Sequence, residues 1–268
     1  MDRMDRMDRM DRMDHITDST GTADGAAGPA GAGPGIEATR TALAATGAHL
    51  MPPAAVRAAL PGGAGGWARF AAHWEDLSPD PYAASRGTRR LRRYGHFLID
   101  RETGERTLQP HTPFLQPTGT NHLYETQDRH FDPLTHAFLA DPVLHSLLEF
   151  LGKAADALAR PERWRVKVHP FRVTAAADGE GAPTPEGRHR DGVTLVTSLL
   201  IGRENATGGQ STVYATDGRE VLSATLREPA ALLLSDDRST LHEVSPIRPV
   251  DAGRPARRDV LVITYTAA

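Results

Sequence analysis

The chain has 268 residues, 31 basic against 34 acidic side chains for a formal net charge of -3, and no cysteine. Balanced charge argues against a nucleic-acid partner, and the missing cysteines exclude disulfides, thiolate nucleophiles and Cys-ligated zinc. No run of about 18 apolar residues is available to cross a membrane, and no signal-peptide core opens the sequence, so the expectation is a soluble cytoplasmic protein with no membrane partner.

The opening MDRMDRMDRMDRMD and the Gly/Ala/Pro tract after it offer too little apolar surface to offset the entropy of ordering. Residues 1–35 are therefore read as a disordered tail and 36–268 as a single domain, helical over 36–90 with a β core over 91–268. IEATRTALAATGAHL predicts a helix from Ile36; 53–60 and 66–75 predict two more, parted by the breaker PGGAGG. Five arginines within 86–93 read as a solvated strand edge rather than an anion site. RRLRRYGHFLID, RETGER and TLQP then give a hairpin.

Leu144, Leu147, Leu148, Leu151, Ala155 and Leu158 share one helical face, and Asp141-Pro142 supply an N-cap and a first-turn proline. This predicts a support helix over 142–158 with no chemistry of its own. After it the apolar period shortens to two. RWRVKVHPFRVTA, VTLVTSLLIG, STVYAT, residues 220–226, AALLLSD and DVLVITYT read as strands joined by turns. The fold class is α+β with a mainly β core, a sandwich or barrel carrying helices on its outside.

Without cysteine, a metal site must use His, Asp and Glu. A His-x-Asp pair on a strand points both side chains to one face. Two such pairs occur, His130/Asp132 and His189/Asp191, besides a His73/Glu75 pair. His73 and Glu75 lie in a predicted helix, where positions two apart diverge. Asp132 runs straight into Pro133 and a helix. His189 and Asp191 stand where a Gly/Pro-rich loop enters a strand, at the rim of the β core. His242, in LHEV at the far end of AALLLSD, supplies a third ligand. Two imidazoles and one carboxylate leave open positions suited to non-haem Fe(II) and O₂ chemistry. Arg258, opening the final strand, suits a bidentate carboxylate contact. A zinc hydrolase could use the same triad, although no H-E-x-x-H motif supplies its general base. A cupin-like module could hold a metal or small acid without turnover. Arg258 beside the triad favours an oxoacid co-substrate over both.

PTPEGRHRDGVTLV, LIGRENATGGQSTVY, LHEVSPI and RDVLVITY resemble successive motifs of the Fe(II)/2-oxoglutarate dioxygenases related to bacterial L-isoleucine 4-hydroxylase. VHPFRVTA and LQPTGTNHLYETQDRHFDPL are similar to that family upstream, so the resemblance covers about 90–266. It implies a double-stranded β-helix, or jelly roll, and hydroxylation of a free amino acid coupled to conversion of 2-oxoglutarate to succinate. It also implies His189, Asp191 and His242 as iron ligands and Arg258 as the anchor of the distal carboxylate of 2-oxoglutarate, with Arg254 and Arg257 as neighbouring alternatives. Asn121 and Arg129, in the upstream stretch, are candidates for the amino and carboxylate groups of a small aliphatic or cyclic L-amino acid such as isoleucine, leucine or pipecolate. His169 is read as a core histidine that could also line the cavity, and Asn205 and Gln210 as turn residues.

Overall fold

The structure, a computed structural model, describes residues 34–84, 89–114, 128–177 and 179–268. The described residues belong to one compact unit, Ala32–Ala268. The helices are α1 (Pro34–Thr46), α2 (Pro53–Ala58), α3 (Gly63–Ala72), α4 (Pro81–Ala84), α5 (His136–Leu139) and α6 (Pro142–Ala155), with a 3-10 turn at His73–Asp76. The first strands are β1 (Ala48–Met51), β2 (Ser78–Pro79), β3 (Arg89–Arg92), β4 (Gly95–Asp100), β5 (Arg106–Leu108) and β6 (Arg163–Ala175). After α6 and β6 the protein is all strand: β7 (Leu195–Glu204), β8 (Ala206–Gly208), β9 (Gln210–Ala215), β10 (Glu220–Thr225), β11 (Leu232–Asp236), β12 (Thr240–Val244), β13 (Ile247–Pro249) and β14 (Ala256–Ala267).

The strands pair antiparallel into a large sheet ordered β1-β11-β7-β14-β6-β3-β2, with β4 and β5 continuing from β6. Alternation divides each central strand between two faces. Trp164, Val166 and Val168 of β6, Leu261, Ile263 and Tyr265 of β14, and Leu232 and Leu234 of β11 pack beneath the helices. Their neighbours Lys167, His169 and Phe171, Arg258, Val260 and Val262, and Leu233 and Ser235 face a cavity. A small sheet, β10-β9-β12, and the pair β8-β13 complete the second layer, and Val213 of β9 packs on Leu200, Leu233 and Val260 of the large sheet. This is a jelly roll with helices on one outer face and the cavity between its two layers.

The helical layer is held by α6, which buries Leu144, Leu147, Leu148 and Leu151 against the sheet with Phe70 and Trp74. Asp141 caps it, accepting the Val143 N–H at 2.9 Å, and also binds Arg69 and His73. Burial pulls the Asp141 pKa upward, but the bonds from Arg69, the Val143 N–H and His73 outweigh it and hold the carboxyl below its ordinary value. A depressed folded-state pKa adds stability that is present above about pH 4 and is lost as pH falls through the folded value. Asp141→Ala is expected to cost about 1–2 kcal/mol at neutral pH. The loss should shrink in acid, as read by thermal melts taken across the acid range.

Several sequence expectations shift. Helix α1 starts at Pro34, inside the expected tail, and stops at Thr46, because Gly47 adopts φ +76° and Ala48–Met51 pairs with β11. Residues 36–90 thus hold β1, β2 and the start of β3 as well as helices. PGGAGG does not wholly break the helical run: α3 begins at Gly63, and Gly66 lets it pass Pro61, whose carbonyl oxygen would lie 2.7 Å from any Cβ there. The support helix ends at Ala155, three residues short of Leu158, where i→i−3 bonds from Ala157 and Leu158 tighten the last turn. Residues 1–33 lie outside the described residues.

Candidate active site

His189 and His242 face each other across a β-bridge, exchanging backbone hydrogen bonds of 3.0 and 2.9 Å. His242 lies beyond the end of β11, in a strand of its own, β12, paired with β9 in the small sheet. Asp191 closes the group. Its Oδ1 lies 3.8 Å from His189 Nε2 and its Oδ2 3.8 Å from His242 Nε2. One donor atom from each residue falls within 4.8 Å of the others. Nδ1 of His189 is taken up by the Gly187 carbonyl at 2.8 Å, which turns Nε2 towards Asp191. Burial, only partly opposed by Asp191, lowers the His242 pKa to about 4. It is therefore neutral at physiological pH, the form in which imidazole binds a metal. The donor set suits Fe(II) with positions left for other ligands.

Asp237 stands behind this triad, and sequence reasoning missed it. It is 1% exposed, and its carboxylate accepts the backbone N–H groups of Asp191, Gly192 and Val193. Its Oδ1 lies 3.7 Å from Nδ1 of His242. Burial, reinforced by the Asp191 charge, raises its pKa to about 6 despite the three N–H donors. One carboxylate therefore sets the loop that carries Asp191 and stands behind the ring of His242. Outer partners of metal ligands commonly contribute a factor of about 10–100 in metal affinity. Asp237→Asn is expected to weaken Fe(II) binding by about that factor, measured by anaerobic titration, with a smaller effect on thermal stability.

Arg258 is 2% exposed, and its Nε and Nη2 are buried with no hydrogen-bond partner. Burial, with the Arg203 charge, lowers its pKa to about 10, so it remains cationic at neutral pH. A buried cation with two open donors on one edge is built for a bidentate carboxylate. Ser211 adds a buried hydroxyl, also unpartnered, to the same cavity. The Gly208-Gly209 turn makes room: both glycines have positive φ, and a Cβ on Gly209 would come within 3.3 Å of Arg258 Cδ. Arg257 and Arg254, the sequence alternatives, point elsewhere. Arg257 pairs with Glu204 and Glu75, and Arg254 with Asp251.

Another part of the cavity wall is aromatic and cationic. Arg90, Arg92, Arg129 and Lys167 line it with Phe114 and Phe171. The arginine run is thus not a solvated edge: Arg90 and Arg92 are 9% and 3% exposed, and Asp80 lies 2.8 Å from Arg90 and 3.9 Å from Arg92. Their alternation about Leu91 was the available signal. Arg92 Nη2 donates to His169 Nδ1 at 2.7 Å, and an arginine can only donate, so that nitrogen of His169 accepts. Burial and the surrounding cations push the His169 pKa well below its usual value. His169 is both buried and cavity-lining, stacked between Tyr94 and Phe171. Arg129 is 4% exposed and lies over Phe114, whereas Asn121 lies outside the described residues. His130 and Asp132 are exposed or turned to the surface, Asp132 taking the Ser78 hydroxyl. His73 binds Asp141 and Glu75 binds Arg172. Asn205 serves its turn, at φ +48° with its amide on the Asp251 and Arg254 carbonyls, while Gln210 opens β9 and bonds Ser223.

The protein matches the 2OG-Fe dioxygenase family over residues 71–264, and it belongs to that family. Membership brings Fe(II), 2-oxoglutarate and O₂ as its cofactor and co-substrates, and the His-Asp-His group and Arg258 fit them. It is 22% identical over 195 residues to an L-isoleucine-4-hydroxylase of Bacillus thuringiensis, covering 71% of this protein and 79% of that one. It is 26% identical over 196 residues to a 3(1)-hydroxy-L-isoleucine 4-dioxygenase of Pantoea ananatis, covering 72% and 77%. A crystal structure of a bsmA homolog from Methylobium petroleophilum superposes with a TM-score of 0.79 at 34% identity, over 87% of this protein and 93% of that one. The IDO structure from Bacillus thuringiensis gives 0.74 at 17% identity, over 87% and 99%, which speaks to the shared fold. Among the described residues no helix is long and apolar enough to cross a membrane.

Proposed function

We propose that this dioxygenase hydroxylates a small free L-amino acid with an aliphatic or saturated cyclic side chain. In this reading His189, Asp191 and His242 hold the iron, Arg258 takes the distal carboxylate of 2-oxoglutarate, and Arg129 receives the α-carboxylate of the amino acid. Asn121 keeps its place as a candidate for the amino group. When bound, the iron and 2-oxoglutarate supply the oxidising chemistry: one oxygen atom of O₂ ends in succinate, released with CO₂, and the other replaces a C–H bond by C–OH. The protein's own work is placement and shielding. Arg258 fixes the far end of one molecule, the cationic wall fixes the carboxylate of the other, and the apolar Val260, Val262 and Leu233 surround the space between.

The observation that carries the reading is Arg258, a buried cation with two unpartnered donors in the cavity that also holds the triad. A zinc hydrolase gives it no role, and turnover separates the dioxygenase from a module that only holds a small acid. The amino-acid class is supported by the two isoleucine-type relatives. The test is a panel of free amino acids incubated singly with enzyme, Fe(II), 2-oxoglutarate and O₂, with succinate and a mass gain of one oxygen both quantified. Several related aliphatic amino acids should react, because a methylene changes discrimination by only about 1–3 kcal/mol. Activity confined to peptides or carrier-bound aminoacyl groups contradicts the substrate class.

A further inference from the structure

We propose that His169 binds the substrate directly, its Nε2–H donating a hydrogen bond to the α-carboxylate of the amino acid beside Arg129; this rests on the amino-acid reading above. The tautomer is set by a neighbour. Arg92 Nη2 lies 2.7 Å from His169 Nδ1, and a guanidinium can only donate, so Nδ1 keeps its lone pair. A neutral imidazole then carries its one proton on Nε2. Burial, with the charges of Arg92, Lys167, Arg129 and Arg90, holds the His169 pKa well below its ordinary value, so the ring is neutral at physiological pH.

That Nε2–H meets no hydrogen-bond partner among the described residues, although the ring is 4% exposed and lines the cavity. Its faces are occupied, with Tyr94 stacked at 4.9 Å between centroids and Phe171 at 5.8 Å. Phe114 stands perpendicular to it at 5.0 Å, and an aromatic face is a far weaker acceptor than a carboxylate. A buried donor without a strong acceptor is costly until a ligand supplies one. The stack and the Arg92 bond fix the ring before any ligand arrives, so the donor is pre-organised.

Strand register indicates which molecule the donor serves. His169 of β6 pairs with Val262 of β14, and Val173 pairs with Arg258. All four line the cavity, and four residues of strand put His169 roughly 13 Å along the sheet from the level of Arg258. His169 instead shares its level with Phe114, over which Arg129 lies at 4.9 Å. An N–H donor and a guanidinium on one stretch of wall suit the two oxygens of one carboxylate.

The first test is NMR of the full chain with nitrogen-labelled histidine, diamagnetic Zn(II) in place of Fe(II), and 2-oxoglutarate present. The His169 ring, assigned by its absence from His169→Gln, should show a bare Nδ1 and a protonated Nε2. Adding a free amino acid from the reactive set should move the Nε2–H proton resonance downfield. The second test is kinetic. His169→Phe keeps a stacked ring without the donor, and should raise the KM for the amino acid by roughly 10- to 100-fold while that for 2-oxoglutarate changes by less than about two-fold. His169→Gln, whose amide can accept from Arg92 and donate to the substrate, should recover much of the loss. A protonated Nδ1, or an Nε2–H resonance that a reactive amino acid leaves unmoved, overturns the proposal and leaves the amino-acid reading intact. Equal rises in both KM values make His169 a packing residue, and a rise confined to 2-oxoglutarate gives it to the co-substrate; either overturns the proposal. An enzyme that uses no free amino acid, yet forms succinate with another substrate, defeats the amino-acid reading itself and this proposal with it.

Discussion

Alanine in place of His189, Asp191 or His242 is expected to abolish turnover and to strip the protein of stoichiometric iron, whereas His130→Ala and Asp132→Ala keep both. The two His-x-Asp pairs are chemically alike, and their settings are not. His189 and Asp191 converge with His242 within 4.8 Å, braced by Gly187 and Asp237. His130 is exposed and Asp132 is engaged by Ser78 and Arg93 at the surface. Removing one of three protein ligands costs both affinity and the geometry that orients the open positions, so the loss should be complete within assay limits. Iron content by elemental analysis and succinate formation are the paired readouts. Equal loss from the two sets of variants would show that the wrong pair had been assigned to the metal.

Arg258 should give the second large effect. Arg258→Ala is expected to raise the KM for 2-oxoglutarate by roughly 30-fold to several thousand-fold, the cost of about 2–5 kcal/mol for a buried charge pair, while the KM for the amino acid changes far less. Arg258→Lys should recover only part, since an ammonium cannot reproduce the two-pronged contact. Arg257→Ala and Arg254→Ala, which remove exposed ion pairs, should be nearly silent. The same geometry makes a stability prediction of opposite sign. The guanidinium is buried, and burying a cation costs stability. Arg258→Met should therefore raise the Tm of the apoprotein while abolishing the further rise that 2-oxoglutarate gives wild type. A lower Tm in Arg258→Met would mean that the arginine is a packing element first.

Much of this was legible in the amino-acid sequence because the signals are local. His189 and Asp191 lie two apart on extended backbone, Arg258 shares the parity of Val260 and Val262, and the leucines of α6 repeat at helical spacing beneath a proper cap. What escaped depends on partners distant in sequence. Arg90 and Arg92 look like a surface run until Asp80 and the rings of Phe131 and Phe171 enclose them. The strand that carries His242 exists because β9 pairs with it, and neither TLHEV nor its neighbours announce that pairing. Asp237 is one of two adjacent aspartates, and only the fold shows that it holds the Asp191 loop while Asp236 pairs with Arg238. Gly66 reads as a breaker by composition and is instead the residue that lets a helix pass close to Pro61.

Heavy-isotope O₂ followed through the reaction shows whether this cavity couples oxidation of 2-oxoglutarate to oxygenation of the proposed free amino acid. Succinate and hydroxylated amino acid are expected in equal amounts, both dependent on Fe(II), with one labelled oxygen in succinate and the label also in the new hydroxyl. A product formed without succinate, carrying oxygen drawn only from water and insensitive to removal of O₂, would contradict that coupling.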